Sequence, residues 1–90
     1  SDREVEIVRS RLPEVGPALA NQVVGAVNRL RAMDLEKLPG VAETIDWTES
    51  VSALGSNSLT AEIALDTLGA VVKDRDDLEY ASRNIQDVIS

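Results

Sequence analysis

Apolar residues recur along this chain at intervals of three and four, the spacing of one helix face, and nowhere alternate as a half-buried strand does. Val5, Val8 and Leu12 form the first stripe, with Asp2 or Ser1 as its cap, Glu4 and Glu6 near its positive start, and Pro13 as its end. Gly16 and Pro17 introduce the longest helix, Pro17 to Met33, where proline in the first turn removes only a donor that lacks an intrahelical partner. Leu19, Val23, Val27, Leu30 and Met33 predict one buried stripe on an otherwise solvated helix, the spine of the fold. Asp34 to Gly40 is a charged loop that Leu35 and Leu38 are expected to pin to the core, closed by the Pro39-Gly40 breaker. A third helix follows from Val41 to Leu54, with Thr44, Trp47, Val51 and Leu54 as its stripe and Gly55 as a left-handed terminus.

Beyond the Gly55-Ser56-Asn57-Ser58 turn, a fourth helix from about Thr60 carries Ile63 or Ala64, then Leu68, Val71 and Val72. Gly69 within it weakens it by up to about 1 kcal/mol unless a neighbouring backbone packs there. Asp74, Asp76 or Asp77 caps the last helix, which turns Leu78, Ala81, Ile85 and Val88 inward. The pattern therefore predicts an all-α domain, a small bundle of about five helices. Ninety residues make one domain, and a domain of this size buries only about 60 to 65% of the surface its unfolded chain exposes. Phe is absent and Trp47 and Tyr80 are the only aromatics, so the core must be built from Val, Leu, Ile and Ala.

Charge and missing residue types narrow the function classes. A formal net charge of −7 repels phosphate backbones, which argues against nucleic acid as a partner and favours a basic protein. Without cysteine there is neither disulfide nor thiolate metal site, and the compartment leans to the cytosol. Without histidine, the commonest general base and metal ligand is missing, and any catalysis falls to carboxylates. No apolar run approaches the roughly 18 residues that cross a bilayer, and no signal peptide opens the chain. It begins at Ser1 without a Met, in the manner of a segment cut from a longer polypeptide.

The stretch Pro39-Gly40-Val41-Ala42-Glu43-Thr44-Ile45-Asp46-Trp47 carries the most specific signal. Taken with Arg29-Leu30-Arg31-Ala32-Met33-Asp34-Leu35, Lys37-Leu38, Ala53-Leu54-Gly55 and Asp66 to Asp77, it resembles the C-terminal helical lid of MoxR-like AAA+ ATPases. The likeness spans nearly the whole chain and is greatest to the branch that includes accessory ATPases of carbon monoxide dehydrogenase maturation. Arg9 to Pro13 also fits the opening helix of that lid. The resemblance implies a helical subdomain beside an α/β ATPase core, closing over ATP and Mg2+ and helping to form the subunit contacts of a ring. It further implies a cytoplasmic, chaperone-like role in remodelling or cofactor insertion in a client enzyme, with the core of the same polypeptide and neighbouring subunits as partners. Family members commonly work with a von Willebrand factor A domain protein. No phosphate loop occurs here and no strand ends in paired magnesium-binding acids, so the segment by itself does not hydrolyse ATP. In the family the third lid helix starts beside the nucleotide and often carries a sensor arginine; aligned through Gly40, that position falls on or near Thr44.

The resemblance thus places Gly40, Val41, Ala42, Glu43 and Thr44 at the nucleotide side. Physically, the start of a helix exposes up to four unpaired amides, and Gly40, Val41 and Ala42 offer no side-chain oxygen to cap them, which suits a phosphate or ribose. Against an anion stands Glu43, whose carboxylate competes for the same helix end; Glu43 or Thr44 as a plain cap is the alternative. Asp46 reads as a first-turn carboxylate, and Trp47 as core or subunit packing ahead of adenine stacking. Asp76-Asp77 looks like a metal pair but reads as solvated caps. Arg29, Arg31, Lys37 and Arg75 are candidates for contacts with the core or a neighbouring subunit, with solvated surface as the default.

Two other classes remain. Gly55 to Leu65 is similar to the attachment motif of acyl carrier proteins, in which a serine at a helix start receives phosphopantetheine; Ser58 would be that serine, although Asn57 stands where the family has Asp and the tryptophan segment has no counterpart. A stand-alone adaptor binding basic helices through its negative face is the third.

Overall fold

Proline and glycine cut the chain between residues 13 and 17, at Pro39-Gly40 and at Gly55, and the computed structural model, which describes residues 2–90, shows six α-helices. These are α1 (Asp2–Arg11), α2 (Pro17–Arg31), α3 (Val41–Ala53), α4 (Ala61–Thr67), α5 (Arg75–Arg83) and α6 (Ile85–Ile89), with a short 3-10 turn at Leu68–Ala70 between α4 and α5. Among the described residues there is no strand, so the architecture is an all-α bundle. Ser1 as the cap of α1 lies outside the described residues, and Asp2 is already inside the helix.

α2 is the spine, with Pro17 in its first turn and α1, α3 and α6 packed around it. It is buried more widely than one stripe. Ala20, Val24 and Ala26 join Leu19, Val23, Val27 and Leu30 in the interior, because neighbours cover it on several sides and the small alanines let them approach. Trp47, Val51, Ala64, Leu68, Val71, Val72, Ala81, Ile85 and Val88 complete a single contiguous core of mostly aliphatic side chains. Gly55 adopts φ +78° and ends the α3 segment, as its position beyond the last stripe residue requires.

Four expectations are corrected. Leu38 does not pin its loop: it is 57% exposed, and only Leu35 packs on the core. Leu54, the last stripe position of α3, is 59% exposed, because the helix has already passed the edge of the bundle there. The fourth helix stops at Thr67, whose hydroxyl donates 2.7 Å back to the Ile63 carbonyl, and the chain tightens into a 3-10 turn around Gly69. Val71 and Val72 are buried nonetheless. The last helix is two, broken at Asn84 (φ −114°, ψ 29°), whose side-chain amide donates to the Tyr80 carbonyl at 2.9 Å and competes with helix continuation.

Candidate functional site

The first turn of α3 is held by tertiary ties that a glycine-rich start alone does not provide. Pro39 is buried and its carbonyl accepts a 2.8 Å hydrogen bond from Arg31 Nε. Just before it, the backbone N–H groups of Glu36 and Lys37 donate to the two carboxylate oxygens of Asp77, at 2.8 and 2.9 Å. Asp77 is 4% exposed, so it is no solvated cap; Asp74 caps α5 instead, accepting from the Asp77 amide at 3.1 Å. One buried carboxylate thus clamps the loop that leads into α3 onto α5. Asp76 remains exposed.

Gly40 precedes α3 in extended backbone, and its N–H donates to Glu43 Oε1 at 2.8 Å. Glu43 therefore caps the helix, the alternative that its residue type suggested. Gly40 has no side-chain oxygen to return, so only half of a capping box forms. Among the described residues, the amides of Val41, Ala42 and Glu43 have no acceptor. Gly40, Val41 and Ala42 are exposed, Glu43 is half-buried and Thr44 is fully buried. Beside this turn runs an open groove of about 240 Å³ lined by Lys37, Leu38, Pro39, Glu43, Val71 and Lys73. Its two lysines are the only ones in the chain. Lys73 was missed in the sequence, since it lies 36 residues beyond Lys37 and only the fold brings both to one groove.

Thr44 faces the interior. Its hydroxyl lies 2.8 Å from Glu4 Oε2 and 3.2 Å from the Gly40 carbonyl, both acceptors for its one proton. Glu4 also receives both ends of the Arg31 guanidinium, Nη1 to Oε1 at 2.8 Å and Nη2 to Oε2 at 2.9 Å. With a side chain only 11% exposed, Glu4 is an internal acceptor rather than a surface helix-start carboxylate. The Arg31 hydrogen bonds hold its carboxyl below the ordinary range; partial burial opposes this, and the Thr44 hydroxyl adds to it. The Arg31 guanidinium is pushed up by the same contact. This three-residue knot joins α1, α2 and α3 directly beneath the first turn of α3.

Arg31 is therefore consumed inside the domain and is not free for a neighbouring subunit. Arg29 is likewise engaged, its Nε donating 2.6 Å to the Val88 carbonyl of α6. Lys37 and Arg75 are exposed. Trp47 is fully buried and its indole N–H donates 2.7 Å to Thr67 Oγ1, so it anchors the core and offers no face to an adenine. Asp46 is exposed on α3.

Ser58 lies in the turn before α4, half-buried, with its carbonyl accepting from Ser56 Oγ at 2.8 Å. Thr60, not Ser58, caps α4 by accepting from the Ile63 amide, so Ser58 stands two residues ahead of the cap. Among the described residues no three acidic groups converge to hold a metal ion, no buried side-chain N or O lacks a partner, and no helix is long and apolar enough to cross a membrane. Comparison of the chain with protein-family models, with curated proteins and with solved structures finds no match.

Proposed function

We propose that this chain is the C-terminal lid subdomain of a MoxR-like AAA+ ATPase, in which the first turn of α3 faces bound ATP and Mg2+ held by the core of the same polypeptide. Its work is cytoplasmic ring closure and chaperone-like remodelling or cofactor insertion in a client enzyme. The observation that supports this best is the exposed Gly40–Ala42 backbone, with three amides lacking acceptors, beside a groove that carries both lysines of an otherwise acidic chain. Amides at a helix start and flanking cations suit the ribose and phosphate side of a nucleotide. The Asp77 clamp and the Arg31 bond to Pro39 hold that turn rigidly enough to transmit closure to the rest of the bundle.

At the aligned sensor position this lid has Thr44 in place of an arginine, and its hydroxyl is turned inward against Glu4. Charge at the phosphates then falls to the core, with Lys37 and Lys73 as the lid's contribution. The coding frame upstream of Ser1 tests the proposal directly. A phosphate loop followed by magnesium-binding acids within about one domain's length, roughly 200 residues, is the expected finding. An upstream frame without them overturns it, and mass added to Ser58 by a phosphopantetheinyl transferase would then establish the carrier reading.

A further inference from the structure

Between α3 and the segment of α4 and the 3-10 turn runs a second open groove, about 470 Å³, lined by Ser50, Ala53, Leu54, Asp66, Thr67, Gly69 and Ala70 and sharing no residue with the first turn of α3. Most of its lining residues are small, and Leu54 among them is 59% exposed. Leu65, adjacent in sequence to Asp66, is 44% exposed. Gly69 lies on this lining. Its φ is ordinary and a Cβ built there meets nothing within 4 Å, so neither backbone strain nor internal packing requires glycine at that point. What its missing side chain leaves is room at the groove.

The rim is of one sign. From Leu38 to Val72 the chain has no Lys or Arg, while Glu43, Asp46, Glu49, Glu62 and Asp66 are all acidic. Helical spacing puts Asp46 and Glu49 on the side of α3 that carries Ser50 and Ala53, and Glu62 on the side of α4 that carries Asp66. All four of these carboxylates are exposed. A groove lined mostly by small residues accepts a helix at close range, and acidic side chains along both of its sides select that helix's charge.

We propose that this groove docks an amphipathic helix of a partner protein, presenting apolar side chains to Ala53, Leu54 and Gly69 and Lys or Arg to Asp46, Glu49, Glu62 and Asp66. A second copy of this chain is a poorer occupant, since each copy carries the same net charge of −7. The proposal stands apart from the lid reading: it uses none of residues 40–44 and holds for a free domain as well as for one attached to an ATPase core.

The probe is a synthetic helical peptide of leucine and lysine, with leucines at i, i+3, i+4 spacing, titrated into the isotope-labelled 90-residue chain and followed by amide NMR shifts. Shifts should cluster on the groove residues. Leu54→Ala should weaken binding about fivefold to tenfold, in keeping with the apolar area it removes. Asp66→Asn should weaken it less, and the loss should shrink as salt is raised. Leu54 and Asp66 are exposed, so both variants should keep the fold, which the unliganded spectrum checks. Shifts spread evenly over the acidic surface, equal binding of a lysine and alanine peptide, or an unchanged Leu54→Ala affinity would each overturn the proposal. So would concentration-dependent self-association of the free chain that Leu54→Ala abolishes, because it would assign the groove to a second copy.

Discussion

The guanidinium of Arg31 in α2 grips the carboxylate of Glu4 in α1 through two parallel hydrogen bonds of 2.8 and 2.9 Å, across 27 residues of sequence. Planar groups matched in this way give a stronger and more directional contact than a point-charge pair. The pair is only partly exposed, at 25% for the Arg31 side chain and 11% for Glu4, so solvent weakens it less than a surface bridge. A double-mutant cycle with Glu4→Gln and Arg31→Met should give a coupling of about 1 to 3 kcal/mol in urea denaturation. A coupling near zero would mean that the knot contributes only geometry.

The same carboxylate sets an acid limb. Glu4 is held below its ordinary value of 4.5, so the unfolded chain takes up a proton at a higher pH than the folded one. Its contribution is complete well above that ordinary value and is lost as pH falls through it toward the lowered folded value. The urea midpoint should therefore fall between about pH 6 and about pH 3, and Glu4→Gln should flatten part of that fall.

Asp77 of α5 clamps the loop before α3. Asparagine at this position keeps one acceptor oxygen but turns an NH2 group toward an amide N–H, so one of the two loop hydrogen bonds is lost. Asp77→Asn should cost about 1 to 3 kcal/mol. Hydrogen exchange should speed most at the amides of Glu36 and Lys37, which donate to it. Uniform acceleration across the domain would instead mark a global loss of stability.

Thr67 serves two partners with one hydroxyl, accepting from the Trp47 indole and donating to the Ile63 carbonyl. Thr67→Val keeps the volume and orphans a buried indole N–H, at a cost of about 1 to 3 kcal/mol. The indole proton resonance should shift and exchange faster in the variant.

Two glycines should respond in opposite directions. Gly55 needs its φ of +78°, so Gly55→Ala should destabilise by about 1 kcal/mol. Gly69 has ordinary backbone and open space, so Gly69→Ala should stabilise by about 0.4 to 1 kcal/mol through a less flexible unfolded chain. In a thermal melt these are shifts of several degrees, about 4 to 8 °C per kcal/mol for a domain of this size.

The helical class and the first three helices were readable from local spacing, whereas the end of α4 at Thr67 and the break at Asn84 were not. Stripes such as Leu19, Val23, Val27 and Leu30, and breakers such as Pro17 and Gly55, act within a turn or two of themselves, so local spacing was enough to determine an all-α chain with a Val, Leu, Ile and Ala core. Glu43 as a cap was likewise visible, because its partner is only three residues away. What the tertiary structure decided joins distant residues: Glu4 with Arg31 and Thr44, Asp77 with the loop at 36 and 37, and Lys37 with Lys73 around one groove. Periodicity shows which face of a helix is apolar, but not which polar group on a neighbouring helix will meet it. That is set by where the helices cross, and it is why Leu54 came out exposed while Asp77 went in.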